Sequence, residues 1–292
     1  MLETLTSNPL SSTSYGALAL AIVSLWAHSS RRLWMGFAIL ALGAGFAAGR
    51  IDGLGILWLV LVGGCFFVAQ QPHRPRSLRW LTGGLALAGA GALTMHLLPG
   101  FDNWRLVDRL SLSEASRPFS LYLNLDKPFL GLLILGFGFP LVRSFPAWRR
   151  LAWGTIPYFI TAVAVLLGLV AILGYVGWDP KLPELFWLWA PRNLLFACVA
   201  EEALFRGFLQ RQLSVALGAF RWGGGASVVV AALLFGLAHF RGGPSYVVLS
   251  TVAGFIYGLA YYRTGRLEAA IGCHFAVNTV HFLLFTYPAL AT

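Results

Sequence analysis

Leu194-Leu-Phe-Ala-Cys-Val-Ala-Glu-Glu-Ala-Leu-Phe-Arg-Gly207 places two adjacent carboxylates, Glu201 and Glu202, in an otherwise apolar run, with Arg206 just after them. A charged side chain at the centre of a bilayer costs about 2.5–3.5 kcal/mol on insertion scales, so such acids mark functional sites with a partner nearby. In α-helical geometry residues four apart share a face, which pairs Glu202 with Arg206. Glu201 is turned by about 100° around the helix, and its own i+4 neighbour is Phe205, which cannot neutralise it. The spacing therefore predicts a braced acid, Glu202, and an uncommitted acid, Glu201. The uncommitted one is the candidate general base.

The rest of the chain is the setting such a pair needs. Hydrophobic residues make up 58% of the sequence and charged residues 11%, where a soluble domain carries about 25% charged residues. Apolar runs of bilayer length recur, and the expected fold class is all-α: a polytopic membrane helical bundle of about ten transmembrane helices. They are expected near Leu10–Ala27, Leu33–Gly49, Leu54–Gln70, Leu81–Leu98, Phe129–Val142, Leu151–Tyr175, Leu185–Leu209, Gly223–His239, Tyr246–Tyr262 and Leu267–Phe285.

The net charge is +10, but the arginines sit in loops as membrane anchors, so nucleic acid is not an expected partner. With the N-terminus outside, most of them, from Arg31 and Arg32 through Arg149 and Arg150 to Arg263 and Arg266, fall in inner loops. A minority of basic residues, Lys127 and Lys181 among them, falls outside. This excess predicts a multi-pass protein of the cell (inner or plasma) membrane with both termini non-cytoplasmic. Glu3 is the only early charge, which argues against a cleaved signal peptide. Cys65, Cys198 and Cys273 lie in apolar spans without metal-type spacing and read as small buried hydrophobes.

Residues 100–128 form the one long connection, a mixture of charged, aromatic and aliphatic residues expected to cap the outer face with short interfacial helices. His73, His96, and His28 beside Arg31 read as loop or interfacial residues without chemistry. Residues 1–180 are a transmembrane region of unassigned role, with spans free of acids. Polar groups enter the spans repeatedly only in 181–292, so the chemistry belongs there.

Three polar groups recur in that part: Glu201-Glu-Ala-Leu-Phe-Arg206, Phe235-Gly-Leu-Ala-His239 and His274-Phe-Ala-Val-Asn278. His274 and Asn278 are four apart and share a helix face. Two histidines, a Glu and an Asn would each need a partner in a dry interior, which favours one shared site. Hydropathy nevertheless puts His239 at the end of its span and His274 nearer the middle. The residue types suit amide hydrolysis. A Glu can take a proton from water, and a nearby His can orient that water. A second His and an Asn can donate to a developing oxyanion, each donor being worth about 10²–10³ in rate. Cys273 is turned about 100° from His274, which disfavours a thiol protease.

In this order on successive helices, the motifs Glu-Glu-x-x-x-Arg, Phe-x-x-x-His and His-x-x-x-Asn resemble those of the CPBP (Abi) family of intramembrane glutamic proteases, which includes the type II CAAX prenyl endopeptidases. The resemblance covers roughly Leu185–Phe285. It implies that Glu201 and His239 activate the water, that His274 and Asn278 form the oxyanion hole, and that Glu202 and Arg206 support the site. It also implies no metal and no cofactor, and a membrane protein or a lipidated or C-terminally anchored peptide as substrate within the lipid bilayer. The first 180 residues are not covered, so the substrate itself does not carry over.

Three other readings compete. A catalytically silent membrane scaffold or immunity protein on the same fold would have no need of the complete motif set. A transporter using Glu201 and the histidines as a proton relay would show inverted repeats, and none is apparent. A zinc protease would use Glu201, Glu202, His239 and His274 as ligands, whereas helical zinc proteases usually present His-Glu-x-x-His.

Overall fold

The computed structural model describes residues 5–27, 32–137 and 139–291; Glu3, His28 and Arg31 lie outside the described residues. In chain order, α1 is Pro9–Ser24, α2 Leu33–Ala47, α3 Gly53–Ala69 and α4 Arg76–Thr94. Strands β1 (Trp104–Leu110) and β2 (Phe119–Leu123) follow, then α5 (Asp126–Gly136), α6 (Phe145–Leu173), α7 (Phe186–Arg192) and α8 (Val199–Glu202). The chain ends with α9 (Arg211–Ala216), α10 (Gly223–Leu237), α11 (Pro244–Thr264) and α12 (Leu267–Leu284). Two π-helical segments, Asn193–Cys198 and Ala203–Gln210, flank α8, and a 3-10 turn, Phe240–Gly242, follows α10.

The fold is mostly helical but not all-α. Residues 100–128 form a two-stranded sheet where interfacial helices are expected. Burial alternates there with a period of two: Trp104 and Leu106 are buried around exposed Arg105, and Leu121 and Leu123 around exposed Tyr122. A short alternation of this kind hides among mixed charges and aromatics in the sequence.

The expectation of ten spans is met in part. Among the described residues, α6, α11 and α12 are long and apolar enough to cross a bilayer, while α2, α3 and α10 are apolar but shorter. The expected span near Phe129–Val142 contains only α5, whose 11 residues reach about 16 Å against a hydrocarbon core of about 30 Å. The expected span Leu185–Leu209 is divided among α7, α8 and the π-helical segments. The molecule is nonetheless a helical membrane protein. Ile39 is 70% exposed, Val60 64% and Ile172 80%, a surface that water would not tolerate and lipid tails would.

The described chain forms two compact units, interleaved along the sequence. The first comprises Met1–Val107, Leu121–Pro140 and Leu195–Leu204. Here α1 packs on α2, α3 on α4 and α5, and α5 on α8. Ser14 Oγ donates to the Ala41 carbonyl (2.7 Å) and Tyr15 Oη to the Leu123 carbonyl (2.9 Å). Gly131 of α5 is required by closeness: a Cβ there would stand 2.6 Å from Ala200 Cα.

The second unit comprises Asp108–Ser120, Leu141–Leu194 and Phe205–Thr292. Its core joins Leu151 and Ala162 of α6 to Ala253, Ile256, Tyr257 and Ala260 of α11 and Ala269, Ala270 and Cys273 of α12. The small residues let these helices approach closely, the main source of attraction where lipid removes the hydrophobic drive. Glu268, in the first turn of α12, is buried, and its Oε1 accepts the Val142 N–H (2.6 Å). An acid at that helix end is favoured by the helix dipole. Cys198 and Cys273 are fully buried as expected, and Cys65 is half-buried.

Candidate active site

The second unit encloses a cavity of about 110 Å³ between α6, α10, α11 and α12. His274 and Asn278 of α12 and His239, distant in sequence, all line it. Its other wall is apolar, with Val163, Leu166, Leu167 and Val170 of α6. His239 follows the end of α10, and the 3-10 turn after it leaves the imidazole on the same cavity as mid-helix His274.

Phe235 is the hub of this half of the site. Its ring centre lies 4.7 Å from that of His239 and 5.7 Å from that of His274, the latter edge to face. On α11, Tyr257 stacks on His274 at 5.0 Å and 18°. The guanidinium of Arg206 sits over Phe235 at 4.5 Å and donates through Nη2 to the Gly254 carbonyl (2.7 Å). Arg206 is fully buried, so this contact with the ring is a desolvated cation–π pair, the strong kind. Gly254 makes room for it: a Cβ there would meet Phe235 at 2.9 Å and Arg206 Nη2 at 3.1 Å.

The histidines are held in defined ways. His239 Nδ1 lies 2.7 Å from the Phe235 carbonyl oxygen. A carbonyl can only accept, so Nδ1 carries a proton, and in the neutral form of the ring the lone pair is at Nε2. Asn278 Nδ2 donates to Asn193 Oδ1 (3.2 Å), which orients the amide. Asn193 is itself buried and directly follows α7, which is anchored to α12 by Trp189 stacked on Phe282 at 4.1 Å.

Two residues of this region are not among those the sequence singles out. Asn193 is one, a lone amide at the edge of an apolar run. The other is His281, which lines the cavity with the two predicted histidines; its Nε2 is buried and has no hydrogen-bond partner among the described residues. The signal was present, since His281 lies seven residues after His274 and so two helical turns along one face.

The carboxylates belong to the first unit. Glu202 is fully buried, whereas Glu201 keeps 12% of its side chain exposed. Glu201 is not uncommitted: Lys127 Nζ of α5 lies 2.5 Å from its Oε1. The expectation failed because a partner 74 residues away in sequence is invisible to a helical spacing rule. That rule also assumes α geometry, and only Val199–Glu202 is α-helical between the π-helical segments. A π-turn brings residues five apart into register, so spacing ceases to distinguish which acid Arg206 serves. π-Turns are themselves frequent at functional sites. Among the described residues, no three His, Cys, Asp or Glu side chains group as metal ligands.

Residues 183–280 match the family model described as type II CAAX prenyl endopeptidase Rce1-like. This segment is related to the CPBP (Abi) family. No curated protein and no solved structure matches the chain. The CPBP-related stretch contains all three motifs, from Glu201 to Asn278, together with Asn193. It stops just short of His281 and leaves out the first 182 residues, Lys127 included.

Proposed function

We propose that the protein is an intramembrane endopeptidase that hydrolyses a peptide bond with a water activated by Glu201. The observation that carries this reading is that His239, His274 and Asn278 line one cavity, within a segment matched by a peptidase family model. Glu201 takes a proton from water as the hydroxide adds to the scissile carbonyl, and passes it to the departing amine. His239, with its lone pair at Nε2, orients the water. His274 and Asn278 donate to the oxyanion. Between the two acids, the difference in exposure supports this division of labour, since Glu201 keeps some of its side chain exposed and Glu202 none. Glu202 and Arg206 support the site, and on the histidine side Arg206 does so through Phe235.

The substrate class is a membrane protein or a peptide anchored by a lipid or an apolar C-terminus, because the α6 wall of the cavity suits an apolar group. The positive-inside excess supports a cell-membrane location with both termini non-cytoplasmic. The test uses the purified protein in vesicles with internally quenched peptides that carry apolar C-terminal anchors. Cleavage by the wild type, lost in Glu201→Gln and preserved after exhaustive chelation, is the expected outcome. Loss on chelation reversed by stoichiometric zinc would replace the glutamate mechanism with Lewis-acid activation of water. Cleavage that persists in Glu201→Gln would remove Glu201 from the mechanism.

A further inference from the structure

We propose that Lys127 is a positioning residue for Glu201, locked in place by buried Asp126, which pairs with the exposed His96, and by the glycine contact of α5 with α8. The proposal rests on the reading of Glu201 as the general base. Neither the three motifs nor the matched stretch includes Lys127, His96 or Asp126.

Lys127 lies in the first turn of α5, where the positive end of the helix dipole disfavours a cation. A lysine at that position gains from its own helix nothing that would hold its ammonium. What holds it is the carboxylate of Glu201 at 2.5 Å, with the lysine side chain only 28% exposed. The backbone beneath it is fixed twice. Asp126 is buried, and its Oδ1 accepts the N–H of Lys127 (2.7 Å) while Oδ2 lies 2.7 Å from His96 Nδ1. His96 itself sits at φ 56°, a left-handed conformation that a histidine adopts only where its surroundings impose it.

One turn further along α5, Gly131 lies on the same face as Lys127. Its missing Cβ lets the α5 backbone reach Ala200, the residue next to Glu201. The glycine contact therefore sets the separation that the lysine side chain spans. A carboxylate held at Oε1 by an ammonium has a fixed orientation, which is what a base must have to meet its water. A shift of about 1 Å at such a group typically costs about 10²-fold in rate.

Two measurements test this, one on the pair and one on its role. In a double-mutant cycle on melting temperature, Lys127→Met and Glu201→Gln should each lower the value, and the double variant should be no worse than the worse single one. Additive losses would show that the two side chains are not coupled and overturn the proposal. With a quenched anchored peptide, Lys127→Met should lower kcat by roughly 10²-fold with KM unchanged, and Lys127→Arg should restore most of it. Wild-type kcat in Lys127→Met, or a loss that appears only in KM, overturns the positioning role. Should Glu201→Gln remain active, the base assignment fails by itself, and the melting-temperature cycle still decides whether the pair exists.

Discussion

The guanidinium of Arg206 lies 4.5 Å from the ring centre of Phe235, and the same ring packs against both His239 and His274. The last residue of the first motif thus supports the histidines of the other two through the first residue of the second. Arg206→Lys keeps the charge and loses the planar stack and fork, which an ammonium cannot reproduce. It should lower the melting temperature and reduce kcat at least tenfold, because a hydrogen bond from a buried charged group is worth about 1.5–3 kcal/mol. A Lys variant with unchanged melting and turnover would show that the stack is incidental.

Gly254→Ala tests the same contact from the other side. Its Cβ would press on Phe235 and Arg206 at 2.9 and 3.1 Å, and overpacking of this kind costs about 1–3 kcal/mol. The expected result is a lower melting temperature with activity reduced in parallel. If the variant melts like the wild type, the ring and guanidinium have more freedom than the packing implies.

His239→Asn separates the two nitrogens of that residue. An amide can still donate toward the Phe235 carbonyl now served by Nδ1 at 2.7 Å, but it offers no imidazole Nε2. Stability should stay near wild type while kcat drops by about 10²-fold or more, the usual contribution of an acid–base group. Retention of over a tenth of the activity would limit His239 to a structural part.

Glu202→Gln should cost more stability than Glu201→Gln. Glu202 is fully buried, and leaving a buried polar group unsatisfied costs about 1–3 kcal/mol, more for charged groups. Expression and melting temperature should fall along with activity. A Glu202→Gln protein that is fully stable but inactive would mean the roles of the two acids are reversed.

The oxyanion donors give a fifth test. His274→Ala and Asn278→Ala act on one developing charge, so the double variant should lose less than the product of the single losses. Asn193→Leu should resemble a mild Asn278 variant, since it removes the acceptor that orients the Asn278 amide. Asn193→Asp keeps that acceptor and should be close to wild type. Independent, multiplicative losses for His274 and Asn278 would place them at different tasks.

By itself, the sequence determined the helical and apolar character of the chain, the segment that carries the chemistry, and three motifs of which His239, His274 and Asn278 share a cavity. All of these are local properties: composition, helical spacing and hydropathy act within a few turns of one helix. The tertiary structure alone decided what depends on partners distant in the chain. Lys127 reaches Glu201, and Asn193 orients Asn278, because α5 and α12 bring them there, and no periodicity announces a single polar residue's distant neighbour. His281 joined the cavity for the same reason. The π-helical turns around Glu201 and Glu202 were hidden too, because an α- and a π-turn draw on the same residues and differ only in which carbonyl each N–H reaches. Among the described residues, three long apolar helices and three shorter ones stand against the ten expected spans, because hydropathy counts apolar residues whether or not they stay in one unbroken helix.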